Sequence, residues 1–138
     1  MKVEHKQSQA SPSSASRPGN KYYYRTEVTN TNEVPIRIIW FEFFIMPDDK
    51  HWHGVNITNK VLREESFVAW YSNGESKPKD GWLQPGETAV CDPNWHFSEE
   101  DEFQKTKWAF MAVDSMGKTY FSEALVERIN VQFYKEEK

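Results

Sequence analysis

Three groups of side chains in this 138-residue chain have types and spacings that chemistry could use. The first is His51-Trp52-His53. On a strand, alternate residues share a face, so these imidazoles would stand roughly 6.5–7 Å apart and could ligate one metal ion. A third ligand would come from His96, Cys91, Asp48, Asp49 or Asp92, if their loops meet at one end of the fold. The plainer reading is a solvated His-x-His beside a turn, because no Cys-x-x-Cys or His-Glu-x-x-His spacing accompanies it. The second group is Cys91 and His96, five residues apart, the types of a thiolate–imidazole nucleophile. Activation needs a neighbour that lowers the thiol pKa, and Asp92 would raise it, so Cys91 reads as buried and inert. No Ser/His/Asp order, phosphate-cradling glycine loop or paired carboxylates appears, so the chain is expected to be non-catalytic and to need no cofactor. The third group is indole. Trp40, Trp70 and Trp108 sit in strand patterns and read as core, whereas Trp52, Trp82 and Trp95 sit near turns, free to act as contact residues. Asn94 and His96 flank Trp95 and join that contact set.

The elements that must carry these groups are strands. Residues 22–28 alternate with period two, and Ile36–Met46 (IRIIWFEFFIM) is β-branched or aromatic at nearly every position, bounded by Pro35 and Pro47. That run reads as a central strand covered on both faces, forming a first hairpin with residues 22–28 through the Asn30–Glu33 turn formers. Arg37 and Glu42 have opposite parity, and a bulge between them would keep both charges on the wet side. Residues 51–57 follow as a strand. Residues 59–71 are ambiguous, a helical turn capped by Asn59 and then strand from Phe67 to Tyr71. Gln84-Pro85-Gly86-Glu87 suits a type II turn leading into a short strand over residues 88–91. Residues 92–97 read as irregular, and Ser98-Glu99-Glu100-Asp101 has capping-box spacing for a short surface helix. Residues 107–114 form a strand with Trp108, Phe110 and Ala112 on one face, then a tight Ser115-Met116-Gly117 loop and a strand over residues 118–127. Residues 128–134 are expected to be an edge strand rather than a terminal helix carrying Leu125, Ile129 and Phe133.

The sum is an all-β antiparallel sandwich, immunoglobulin-like, of seven or eight strands with at most one short surface helix. Aromatic residues make up 15% of the chain against 38% hydrophobic overall, so rings carry an unusual share of the core. Residues 7–20 are small and polar, with five serines and two prolines, so residues 1–20 are expected to be a disordered tail and residues 21–138 a single domain.

Two segments carry a family likeness. Val28-Thr29-Asn30-Thr31-Asn32-Glu33-Val34-Pro35-Ile36 and Leu83-Gln84-Pro85-Gly86-Glu87-Thr88 resemble the hairpin and the turn-plus-strand of bacterial immunoglobulin-like and fibronectin-like sandwich domains. Val68-Ala69-Trp70-Tyr71-Ser72 before the Pro-Gly-Glu turn is similar to intracellular proteinase inhibitors of that architecture. The resemblance implies a binding or accessory module rather than an enzyme.

The net charge of −4 opposes non-specific binding of nucleic acid or anionic membranes, and no apolar run reaches the length of a membrane span. The single cysteine and the absence of a secretory leader point to the cytoplasm, or to a secreted protein if a leader was removed. The expected function is recognition of another protein through aromatic-bearing loops at one end of the sandwich, with Trp52, Trp82, Trp95, Asn94 and His96 in contact and proteinase inhibition as one case. The alternatives are a carbohydrate-binding module using the same indoles, and a metal-binding protein or metal-dependent enzyme using His51, His53 and His96. A homodimer through an edge strand or residues 129–134 is a further expectation.

Overall fold

Alternation of buried and exposed side chains along the long strands is what a sheet with one dry face requires, and two such faces meet in this chain. The structure is a computed structural model that describes residues 1–9, 21–46, 50–55, 62–72, 78–97 and 105–134. In chain order the elements are β1 (Lys2–Lys6), β2 (Lys21–Thr29), β3 (Ile36–Met46), β4 (His53–Val55), α1 (Glu64–Trp70), β5 (Trp82–Leu83), β6 (Thr88–Phe97), β7 (Lys105–Val113), β8 (Thr119–Leu125) and β9 (Gln132–Tyr134). Single 3₁₀ turns lie at Lys79–Gly81 and Arg128–Asn130. One sheet has the order β1-β2-β6, with β9 also on β2; the other has β4-β3-β7-β8, with β5 also on β3. Every pairing is antiparallel, and the two sheets pack as a sandwich.

Several expectations change. Folded structure does not begin near Lys21, because Lys2–Lys6 forms β1 along β2 with Val3 opposite Val28 and His5 opposite Thr26. Val3 and His5 are buried while Lys2 and Lys6 are exposed, a period-two pattern that charge-rich composition masks. Residues 10–20 lie outside the described residues. β2 and β3 are not a hairpin, since they belong to different sheets. The device that diverts the chain is Asn30, fully buried at the corner. Its Nδ2 donates to the carbonyls of Val34 (2.8 Å) and Leu83 (3.0 Å), and its Oδ1 accepts from the Asn32 backbone N–H (2.9 Å). One side chain thereby ties the connection after β2 to β5 of the other sheet.

Phe67–Trp70 is helix rather than strand. Phe67, Trp70 and Tyr71 stand at i, i+3 and i+4, so a helical turn puts all three rings on one side, against Phe41 at centroid distances of 6.1, 5.5 and 6.0 Å. Residues 92–97 are not irregular either. β6 runs to Phe97, absorbing Asp92 and the cis-linked Pro93 in a bulge where the register jumps between Tyr24–Asn94 and Thr26–Cys91. The strand expected over residues 51–57 is limited among described residues to His53–Val55, and the helix expected near residues 98–104 lies outside them. Residues 128–134 combine both readings, a 3₁₀ turn and then β9, whose pairing with β2 of the same chain occupies the segment expected to join two copies. The bulge in β3 does occur, between Ile38 and Trp40, and it leaves Arg37 and Glu42 on the same outer face.

The core is mostly ring against ring. Trp108, fully buried on β7, lies 5.0 Å from Phe43, 5.9 Å from Phe41 and 6.2 Å from Trp70. Phe41 also stacks on Phe110 at 5.4 Å. Beside this cluster, Gly81 holds φ +86°, and an added Cβ would meet the Ile38 carbonyl at 3.2 Å and the Glu64 Cβ at 3.3 Å. Gly81→Ala should therefore destabilise by about 2 kcal/mol, combining the left-handed penalty with a contact to fixed backbone. Gly117→Ala, at φ +85° with open space around it, should cost only about 1 kcal/mol. Urea unfolding of the two variants checks the order, and equal costs would remove the steric part of the argument.

Candidate functional site

The three turn-associated indoles do not share a rim. Trp82 pairs with Arg37 at the start of β3, and His53, next to Trp52, pairs with Ile45 near its end, so roughly 25 Å of strand separates them. Trp95 is on the other sheet, opposite Tyr23, with 36% of its surface exposed. Trp52 and Trp82 are half-buried.

The two residues expected to flank Trp95 as contacts, Asn94 and His96, are buried instead, because alternation on β6 turns them inward. They join a polar network between the sheets. Asn94 Nδ2 donates to Thr26 Oγ1 (2.9 Å), which lies 2.9 Å from His5 Nδ1, and His5 Nε2 lies 3.1 Å from the Ala124 carbonyl. A carbonyl only accepts, so Nε2 carries the proton and Nδ1 accepts from the Thr26 hydroxyl. Trp108 Nε1 donates to the Tyr24 hydroxyl (2.7 Å), which in turn faces His96 Nδ1 at 3.2 Å. His96 is also sandwiched among rings, 5.2 Å from Tyr22 and 4.9 Å from Phe43. Burial lowers the pKa of His5 to about 4, with the Ala124 bond opposing the shift, and that of His96 to about 3, with His5 adding to the fall. These histidines stay neutral as structural hydrogen-bonding groups.

The metal reading loses its geometry on the same grounds. His51 and His53 are exposed, only His53 is in a strand, and His96 is inside the sandwich. Among the described residues no three His, Cys, Asp or Glu side chains group to hold a metal ion; Asp48 and Asp49 lie outside them. Cys91 is buried, its thiol 3.9 Å from the Pro93 carbonyl.

What distinguishes the surface is a contrast between the two outer faces. The β1-β2-β6 face is laced with charge: Lys6–Glu27 (2.9 Å), Arg25–Glu27 (2.7 Å), Arg25–Asp92 (3.4 Å) and Lys2–Glu4 (3.3 Å). Gln9 N–H also donates to Asp92 (2.9 Å). Arg25 and Lys6 hold the Glu27 carboxyl below its usual pKa against the opposing effect of burial.

The β3-β7-β8 face is apolar by comparison. Register places Trp40, Met111 and Phe121 in one cross-strand row, then Glu42, Ala109 and Glu123, then Phe44, Lys107 and Leu125. Phe121 and Leu125 are 56% and 57% exposed, and Trp40, Phe44 and Met111 are half-buried. Trp40 and Phe44 meet edge to face at 6.5 Å. Lys107 bridges to Glu123 (2.9 Å) and lies over the rings of Trp52 (4.4 Å) and Phe44 (5.5 Å). Thus β3 is not covered on both faces, and Trp40 is not core: the bulge at Ile39 turns Trp40 outward with Glu42.

No family model, curated protein or solved structure matches the chain.

The face escapes a reading by residue type because its members come from three strands, and in β3 and β7 they stand among inward-facing apolar residues such as Phe41, Phe43 and Phe110. The available signal was the parity of Phe121 and Leu125 with Glu123 in β8. No helix among the described residues is long and apolar enough to cross a membrane.

Proposed function

We propose that this chain is a non-catalytic β-sandwich module that binds another protein through the outer face of β3, β7 and β8. The supporting observation is a group of five large apolar side chains, the row Trp40-Met111-Phe121 and the pair Phe44 and Leu125 flanking Lys107, on a sheet face where Phe121 and Leu125 are more than half exposed. Solvated antiparallel sheets ordinarily carry polar residues on that side, as the β1-β2-β6 face does, and large exposed apolar side chains rimmed by charge mark interaction surfaces. Aromatic side chains on a rigid sheet supply contact area at small entropic cost.

The charge pattern favours a basic partner surface. Glu42 and Glu123 lie between the two apolar rows. A second copy packed about an aligned two-fold axis through Ala109 would set these carboxylates against each other, with the Lys107 bridged to Glu123 offsetting only one of the two in each copy. A partner surface with Lys or Arg between apolar anchors meets the face without that repulsion. Panning a random peptide-display library on the immobilised protein should recover peptides of this pattern. Their affinity should fall at least about 30-fold in the Phe121→Ser/Leu125→Ser variant, in line with loss of central anchors. Binders indifferent to both substitutions would overturn the proposal. So would a dimer in sedimentation equilibrium that the same variant dissociates, because the face would then serve self-association.

A further inference from the structure

Two tight turns wall a groove at the opposite end of β3 from Trp52. The Lys79–Gly81 turn has Asp80 in the left-handed region at φ 53°, unusual for a residue with a side chain, and Arg37 Nε pins it by donating to the Asp80 carbonyl (2.8 Å). The second turn closes with the Glu87 N–H on the Gln84 carbonyl (2.9 Å), while the Glu87 carboxylate accepts from the Gln84 N–H (3.1 Å). Between them β5 presents Trp82, on the outer side because its partner Arg37 is outer and its neighbour Leu83 is fully buried. The resulting groove, about 460 Å³, is lined by Pro78, Lys79, Asp80, Trp82, Gln84 and Glu87.

We infer that this groove binds a neutral carbohydrate, with one pyranose ring against the Trp82 indole and its hydroxyls on Lys79, Asp80, Gln84 and Glu87. The volume falls within the range of small-molecule sites. The lining suits the other common ligand classes less well. An aliphatic ligand would find Trp82 and Pro78 but would desolvate the four polar side chains around them without replacing their hydrogen bonds to water. A phosphate or other anion would meet two carboxylates and a single lysine. An organic cation is best held by several ring faces, and here one indole stands beside a lysine. A pyranose matches the set: its C–H face is apolar enough for an indole, and its hydroxyls both donate to carboxylates and accept from an amide and an ammonium. The turns fix the backbone that carries these groups, and the Gln84 N–H holds the Glu87 carboxylate, which limits the ordering cost. The inference is independent of the proposed protein-binding face.

Six indoles give six N–H resonances in a ¹H–¹⁵N spectrum, and the Trp82→Phe variant assigns the one of interest. Titrating cellotetraose, xylotetraose, mannotetraose and chitotetraose should shift the Trp82 resonance saturably for at least one sugar and leave that of Trp95 in place. Gln84→Ala, on an exposed side chain, should weaken that binding about tenfold by removing a hydrogen bond to the ligand. The Phe121→Ser/Leu125→Ser variant should bind the sugar normally. A Trp82 shift with choline and none with any sugar would overturn the inference in favour of a cation site, and no shift across the panel would overturn it outright. Sugar binding unaffected by both Trp82→Ala and Gln84→Ala would place the ligand elsewhere and overturn it too.

Discussion

Between pH 7 and pH 4.5 the protein should lose on the order of 5 kcal/mol of folding stability, comparable to the whole stability of a small domain. The cause is the pair of buried histidines. In the folded state their pKa values lie at about 4 for His5 and about 3 for His96, below the ordinary 6.5 that an unfolded chain would show. Above pH 6.5 both states are neutral at these positions and stability does not vary through them. As pH falls below 6.5 the unfolded chain takes up protons that the folded chain refuses, and each histidine then removes about 1.4 kcal/mol per pH unit. The loss continues until the folded-state values are reached. Glu27, whose carboxyl is held below its usual range, loses its contribution only at still lower pH, so the window down to 4.5 isolates the imidazoles. Urea midpoints measured from pH 7 to 4.5 should fall steadily, with His96→Gln showing about half the slope. Superimposable curves at the two extremes would show that these side chains are not buried as described.

Replacing Trp108 by Ala should cost at least about 4 kcal/mol and leave the protein largely unfolded at room temperature in mild urea. The indole is fully buried and in ring contact with Phe41, Phe43 and Trp70, so its removal opens a cavity bounded by rigid aromatic groups that cannot collapse into it. It also takes the 2.7 Å hydrogen bond from the Tyr24 hydroxyl, a group that burial has already raised well above its normal pKa. Trp108→Phe retains most of the ring contacts and loses the N–H donor, so about 2 kcal/mol is expected there. A Trp108→Ala protein within 1 kcal/mol of the parent in urea unfolding would mean the sheets pack differently from the arrangement described.

The bulge in β3 shows how much local pattern can carry. Arg37 and Glu42 must both reach water, they have opposite parity, and one extra residue between them is the cheapest remedy; the register jumps at Ile39 accordingly. The inward set Trp108, Phe110 and Ala112 was legible for the same reason, as was the loop at Gly117, where positive φ selects glycine. β1 was obscured by composition. Lys-Val-Glu-His-Lys is an alternating strand whose inward histidine looks polar until Thr26 and the Ala124 carbonyl satisfy it. The helix at Glu64–Trp70 was ambiguous because it spans only seven residues, too short for a helical period to stand out from the apolar run Phe67–Tyr71.

The candidate surfaces were less accessible than the fold. Trp95 was read as one of a cluster, yet Trp52 and Trp82 lie at opposite ends of β3 and Trp95 on the other sheet. Asn94 and His96 were assigned to a contact loop, and β6 buries both by continuing past its bulge. Trp40 was assigned to the core and faces outward.

Residue types and their period determined that this chain forms antiparallel strands, which side of β7 is dry, and where β3 must bulge, since these are consequences of local sterics and of apolar alternation. Sheet membership, the strand order and the choice of the β3-β7-β8 face as the apolar one were decided only in three dimensions. They depend on which distant segments meet: on Asn30 tying Val34 to Leu83, on His5 reaching the Ala124 carbonyl, and on cross-strand rows whose members are separated by tens of residues. No local pattern encodes such partners, because the free energy that selects them arises only when both layers close around the rings between them.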